Sequence, residues 1–175
     1  MHSMKSRMSF VFSLLAVCIF SFSALSQSKP AMPKFDGAWV LNRAKSSGLT
    51  GALGNAEIRL LVSQTEKELT VEQKLVIRGR EQDSPQMVYK LDGSENQAEV
   101  VRPLAGTSKL KARWVASSKT LELSSTITGE VDGKTATVTT KEFWQLSPTG
   151  EALKVTRIRQ SPQGTQSFKL LFEKQ

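Results

Sequence analysis

The sequence is poor in the side chains that most often carry out catalysis or bind metal ions. Its 175 residues include a single cysteine, Cys18, and a single histidine, His2. Both lie in an amino-terminal segment that we expect to be removed from the mature protein. Without them the chain has no thiolate nucleophile, no disulfide, no Cys/His zinc site and no imidazole acid–base group. The sequence therefore predicts no catalytic residue, no metal site, no cofactor and no disulfide partner.

The first 26 residues have the layout of a cleaved secretory signal. Lys5 and Arg7 form a basic start, residues 10–22 are largely apolar, and residues 24–26 read Ala-Leu-Ser, a small-x-small cleavage pattern. The apolar stretch is shorter than the ~20 residues that a membrane-spanning helix needs. We therefore expect cleavage after this segment rather than an uncut anchor.

The expected cleavage divides the chain into three parts. Residues 1–26 are the signal peptide, residues 27–34 form a linker with two prolines, and residues 35–175 form a single domain. Lipid attachment at Cys18 is not favoured, because Val17 stands where a lipoprotein signal needs a small residue. The sequence predicts an exported protein that is periplasmic or secreted and soluble after signal cleavage.

The mature chain is basic, but its charges do not form a run. Removing the signal leaves 22 Lys and Arg residues against 16 Asp and Glu residues, a net charge of 22 − 16 = +6. The basic residues are spread along the chain and alternate with acidic ones, so no stripe suited to nucleic acid is present. The pattern is typical of the solvated outer face of half-buried strands. Contact with anionic lipid or glycan remains an alternative use of that face.

From residue 35 onward, apolar and polar residues alternate, and turn residues interrupt the pattern about every ten positions. Residues 43–56 contain three glycines and predict a flexible connection with room for one helical turn. Asp92-Gly93 and Asp132-Gly133 are hairpin signals. The ten predicted strands lie at residues 38–41, 58–62, 69–77, 86–91, 98–102, 110–114, 121–127, 136–146, 153–158 and 168–172.

Two strands carry irregularities in the apolar pattern. Gln73 interrupts the apolar series of the third predicted strand. In the ninth, Leu153 and Val155 are followed by Ile158, and this offset predicts a β-bulge near Arg157. Ten strands joined mostly by tight turns predict an all-β, antiparallel up-and-down meander. A closed barrel is our first choice because closure removes exposed edges, and a β-sandwich is the alternative.

Short motifs across the mature chain resemble those of known barrels. The opening strand resembles the Gly-x-Trp start of the lipocalin and fatty-acid-binding barrels. The set as a whole is similar to a poorly characterised group of exported bacterial lipocalin-like proteins. The motifs are Phe35-Asp36-Gly37-Ala38-Trp39-Val40-Leu41-Asn42 with Lys45-Ser46, Tyr89-Lys90-Leu91-Asp92-Gly93, Trp144-Gln145-Leu146-Ser147 and a terminal Phe172-Glu173-Lys174.

This resemblance implies a structural role for Trp39. In lipocalins the opening tryptophan plugs the closed end of the barrel, and an arginine from near the carboxyl end packs across it. Trp39 matches the tryptophan, and Arg157 or Arg159 would supply the arginine as a cation–π contact.

The resemblance also implies binding of a small hydrophobic or amphipathic ligand in the barrel lumen. The parity of their strands makes Trp114 and Trp144 candidates for apolar lining, although large aromatics more often serve core packing. Gln73, Tyr89 and Arg157 are candidates for the few polar groups that orient a ligand. The alternative is a cell-envelope interaction module that uses its basic outer face and has no small-molecule ligand.

We do not expect an enzyme. The aspartates at hairpin turns are explained by backbone geometry. Glu142 lies on a strand whose parity allows a buried carboxylate, but the sequence offers no His, Cys or metal motif to support catalysis there.

Overall fold

The computed structural model of the protein describes residues 32–82, 84–101, 104–115 and 119–175. The predicted signal peptide and most of the predicted linker lie outside these residues, as do Arg102 and Pro103, where the fifth predicted strand was expected to end. The described residues form one antiparallel sheet of eleven strands. The strands are β1 Gly37–Leu41, β2 Glu57–Gln64, β3 Glu68–Ile77, β4 Arg80–Gln82, β5 Gln86–Lys90, β6 Asn96–Val100, β7 Gly106–Trp114, β8 Leu121–Val131, β9 Lys134–Leu146, β10 Ala152–Ser161 and β11 Gly164–Lys174.

The sheet is a meander in which most consecutive strands pair. Its order is β4-β3-β2-β1-β11-β10-β9-β8-β7-β6, and β5 also pairs with β3. β4 pairs with residues 75–77 of β3, and β5 pairs with residues 68–72 of the same strand. β4 and β5 thus occupy successive parts of one edge of β3, which accounts for eleven strands where the sequence predicted ten.

The sheet curls, so that the first strand lies beside the last and the two edges of the sheet approach each other. β1 pairs with β11, which joins the first strand to the last. Where the two edges of the sheet meet, the Asn96 side chain of β6 donates a hydrogen bond to the backbone oxygen of Val88 in β5 at 3.0 Å. The predicted antiparallel meander is confirmed, and a single curled sheet forms rather than the two sheets of a sandwich.

The alternation in the sequence places apolar side chains inside. In β2, Ile58, Leu60 and Val62 are buried, while the residues between them are exposed. Because successive side chains of a strand point to opposite faces, this pattern fixes which face of the sheet is the interior.

The turns show which hairpin signals are used. Asp132 and Gly133 both have positive φ, at 50° and 71°, and connect the paired residues Val131 and Lys134. This is the two-residue hairpin that Asp-Gly favours. Asp92-Gly93 also forms a turn, but it connects β5 to β6, which do not form a backbone ladder among the described residues.

The predicted bulge near Arg157 is absent from β10. Its ladder with β9 runs without interruption from Leu153 to Gln160. Arg157 therefore shares the inward face with Leu153 and Val155, and Ile158 faces the outside. The bulge prediction was wrong because it assumed that the interior at this level must be apolar.

The connection between β1 and β2 lies at one end of the barrel. We call this the upper end, and the end where β1 begins and β11 finishes the lower end. The connection contains two 3-10 helices, Arg43–Lys45 and Gly51–Asn55. Ser47 forms an isolated bridge with Lys169 of β11, and Leu49 packs against the core. Within the described part of the chain, no helix is long and apolar enough to cross a membrane.

Candidate functional site

Aromatic side chains fill the lower half of the interior. Trp39 and Phe35 are fully buried, and the Trp39 indole Nε1 donates to the Phe35 backbone oxygen at 2.8 Å. The Phe35 ring stacks on Trp114 with centroids 6.0 Å apart and meets Trp144 edge-on at 5.6 Å. These contacts form a dry plug, because no water-filled space separates rings at such distances.

The cation over Trp39 is Lys174. Its ammonium lies 5.6 Å from the centre of the Trp39 ring. Neither Arg157 nor Arg159 has this contact, since both lie farther up β10. The expected arginine is thus replaced by a lysine from the end of β11, which pairs with β1 at Trp39.

A polar layer crosses the middle of the interior, and we define it as Gln73, Tyr89, Glu142 and Arg157. Arg157 Nε donates to Glu142 Oε1 at 2.6 Å, and Arg157 Nη2 donates to Gln73 Oε1 at 3.3 Å. The other Glu142 oxygen accepts the Trp144 indole Nε1 at 2.7 Å. The Arg157 and Glu142 side chains are only 21% and 15% exposed. Glu142 therefore joins the polar layer to the aromatic plug below it.

Tyr89 completes the polar layer. Its side chain is 8% exposed and packs in the main apolar cluster. Burial raises the pKa of its hydroxyl well above the ordinary value, and the nearby Glu142 carboxylate raises it further, while Arg157 opposes the shift. Tyr89 is accordingly a neutral hydroxyl beside an ion pair.

Four of the five predicted ligand-binding residues meet around Glu142. Gln73, Tyr89 and Arg157 belong to the polar layer, and Trp144 contacts it from below. Trp114 lies apart, half-buried at the lower end and stacked on Phe35. Sequence analysis left Glu142 outside the predicted site, although its parity with Trp144 on β9 was a usable signal.

Above the polar layer, one side of the interior carries polar side chains that are only partly buried. Thr140 and Arg159 form a pair in the ladder of β9 and β10, and both are half-buried. Gln166, opposite Arg159 on β11, is exposed. On the other side, Val100, Leu104, Ile127 and Ala136 form a small apolar cluster. The upper half therefore offers both polar and apolar surface.

Two depressions lie on the outer surface of the sheet. One, of about 370 Å³, is lined by residues that include Phe143, Gln145 and Lys154. The other, of about 270 Å³, is lined by residues that include Leu61 and Ser63. Both therefore belong to the outer face and are separate from the polar layer.

The comparisons with known proteins concern the fold. No family model matches the chain, and no curated protein matches it. A structure of zebrafish ileal bile-acid-binding protein complexed with cholic acid is 14% identical, covers 81% of this chain and 98% of its own, and superposes with a TM-score of 0.50. The fatty-acid-binding protein of Manduca sexta is 12% identical over 80% of this chain and 99% of its own, with a TM-score of 0.43.

Proposed function

We propose that this protein binds a small amphipathic molecule inside its barrel. The polar layer holds the head group, and the surrounding apolar side chains hold the rest of the molecule. The observation that carries the proposal is the placement of the Arg157–Glu142 ion pair inside the barrel, next to the main apolar cluster.

The stability of the fold does not by itself explain why an ion pair lies inside the barrel. Taking two charges out of water costs free energy, and well-packed apolar residues in the same place are often equally or more stabilising. A charge inside a barrel is better explained by a ligand that it orients, since binding sites combine apolar walls with a few placed polar groups.

Arg157 retains the capacity to bind an anion. A guanidinium has five N–H donors, and the bonds of Arg157 to Glu142 and Gln73 are its two hydrogen bonds to other described residues. Arginine binds carboxylates with two parallel hydrogen bonds. The Tyr89 hydroxyl, which is held protonated, adds a neutral donor. A carboxylate or a comparable acceptor group is therefore the head group that suits this layer.

The fold likeness supports the same class of ligand. The zebrafish protein, whose structure contains cholic acid, shares the fold of this chain over most of its length. We extend to this chain only the use of the barrel interior for an amphipathic acid. The predicted signal peptide would place that binding in the periplasm or outside the cell.

A lipid- or glycan-binding outer face ranks second. Several outer-face cations already have carboxylate partners, including Lys74 with Glu72 and Lys111 with Glu95. Arg113 is paired with Glu122 in the same way. These pairs lower the attraction of the outer face for an anionic surface.

Titration with octadecanoic acid, followed by tryptophan fluorescence and calorimetry, tests the proposal. We expect one bound molecule per chain and an affinity that changes little with salt, because an interior ion pair is poorly screened. An Arg157→Leu variant should bind about tenfold or more weakly, since a charged hydrogen bond is lost. The matched control is Arg113→Leu, which removes an arginine from an outer-face pair and should bind as the original protein does.

Two results would count against the proposal. One is the absence of binding by the original protein. The other is equal affinity of the Arg157→Leu and Arg113→Leu variants. Binding only to anionic vesicles, with loss at high salt, would favour the outer-face alternative instead.

A further inference from the structure

Ser108 is a buried polar group that the proposed head-group site does not use. It lies on β7, its side chain is fully buried, and its hydroxyl has no hydrogen-bond partner among the described residues. Leaving a buried hydroxyl unsatisfied destabilises a folded protein. Such a group in the interior of a barrel calls for an explanation.

The residues directly opposite Ser108, and the next inward residue below it, are apolar. Its partners in the two neighbouring strands are Ala98 and Ile127, and the next inward residue on β7 toward the lower end is Leu110. The half-buried Met87 packs against both the main apolar cluster and the small upper one. Methionine is unbranched and adapts its shape, so it can yield to an incoming group.

A bound water molecule would find few polar partners among the residues directly opposite this hydroxyl. A buried water usually makes two to four hydrogen bonds to polar groups. The neighbours of Ser108 named above offer apolar side chains, and their backbone groups belong to the sheet. A hydroxyl carried on an apolar ligand needs only one partner there, because the rest of the ligand packs against the apolar wall.

Ser108 lies apart from the Arg157–Glu142 ion pair of the head-group site. Along the ladders, the row that contains Arg157 and Glu142 continues through Leu123 to Ala112 on β7. Ser108 lies four residues farther toward the upper end of that strand, a displacement of about 13 Å at the usual rise of a β-strand. A ligand that reaches both places must carry its polar groups at separated positions.

We propose that Ser108 is a specificity site for a hydroxyl or keto group on the apolar body of the ligand. The ligand class is then an amphipathic acid with a second, oxygenated position remote from its carboxylate. This inference rests on the proposed function, since it requires a ligand in the barrel. The serine hydroxyl both donates and accepts, so it suits either oxygen group.

The test compares octadecanoic acid with a positional series of hydroxylated octadecanoic acids. For the original protein we expect at least one hydroxylated acid to bind roughly three to ten times more tightly than octadecanoic acid, as one added hydrogen bond implies. Ser108→Ala should bind octadecanoic acid unchanged and lose that preference. The control Ser63→Ala, on the outward face of β2, should keep it.

A second measurement uses the protein without ligand. Ser108→Ala should unfold at a higher urea concentration than the original protein, because an unsatisfied hydroxyl has been removed. A lower midpoint would mean that the hydroxyl is satisfied in the empty barrel, and the inference would be wrong.

The outcomes separate this inference from the proposed function. If octadecanoic acid binds and no hydroxylated acid is preferred, the Ser108 site is refuted while binding in the barrel stands. If none of the acids binds, the proposed function and the Ser108 site are both refuted.

Discussion

The lower and upper halves of the barrel share one sheet but differ in what the sheet encloses. β10 shows the change along a single inward face. Leu153 and Val155 are buried against the aromatic plug, whereas Arg157 and Arg159, the next two inward residues, bring positive charge into the interior. β9 changes at the same level, from Trp144 to Glu142.

This difference indicates a division of roles within one domain. The lower half is continuous apolar packing, which stabilises the fold. The middle and upper half contain an ion pair and hydroxyls, and a buried ion pair is a weak source of stability compared with apolar packing. The residues that we propose to bind a ligand begin where the apolar plug ends.

The largest expected effect tests the plug. Trp39→Ala should lower the free energy of unfolding by about 3–5 kcal/mol, because it removes a fully buried indole and leaves a cavity. Urea denaturation measures this change. Trp114→Ala, at a half-buried position where the indole stacks on Phe35, is the matched control and should cost clearly less. Equal losses would show that stability is not concentrated at the buried plug.

The second prediction compares an inner and an outer ion pair. Arg157→Ala should destabilise the protein by about 1.5–3 kcal/mol, because it leaves Glu142 without its charged partner inside the barrel. Arg59→Ala removes an arginine from an outer-face pair in which both side chains are more than half exposed, and it should cost roughly 0.2–1 kcal/mol. Chemical denaturation of both variants provides the comparison. A larger loss for Arg59→Ala would contradict the assignment of Arg157 to the interior.

The third prediction concerns the only tyrosine of the chain. The raised pKa of Tyr89 means that the folded protein holds the hydroxyl proton more tightly than the unfolded chain, whose tyrosine ionises near pH 10. This contribution to stability is complete below about pH 10. It is lost as the pH rises further, by up to about 1.4 kcal/mol per pH unit until the folded-state pKa is reached.

Ultraviolet absorbance during alkaline titration checks this expectation. The folded protein should show no tyrosinate signal near pH 10, and Tyr89→Phe should lose the corresponding part of the pH dependence of stability. Ionisation near pH 10 without unfolding would show that Tyr89 is exposed to water.

The smallest expected effect concerns the cation over Trp39 at the lower end of the barrel. Lys174→Met should cost about 0.5–1 kcal/mol, the usual contribution of a cation over an aromatic ring at an exposed position. It should also change the emission of Trp39. Arg159→Met is the control that the original expectation suggests, and it should leave that emission unchanged. If Arg159→Met changed the emission of Trp39 and Lys174→Met did not, the cation over Trp39 would be the arginine.

Sequence analysis identified the strands more accurately than the contacts between their side chains. The alternation of Ile58, Leu60 and Val62 needed only local information, and so did the Asp132-Gly133 turn. The bulge near Arg157 was a mistake with a physical cause, since the pattern was read as though every inward residue must be apolar. The cation over Trp39 was also misassigned, because which side chain lies across the plug depends on the pairing of β1 with β11.

The sequence by itself determined the meander, because a period of two and local turn chemistry decide which residues of each strand face inward. It also identified Gln73, Tyr89, Trp144 and Arg157 as separate candidates for ligand binding. Only the tertiary structure decided that they meet around Glu142, and that Arg157 bonds to Gln73 across 84 positions of sequence. Alternation specifies the face of a strand, whereas the register between strands and the curl of the sheet decide the level at which each side chain lies and its neighbours there.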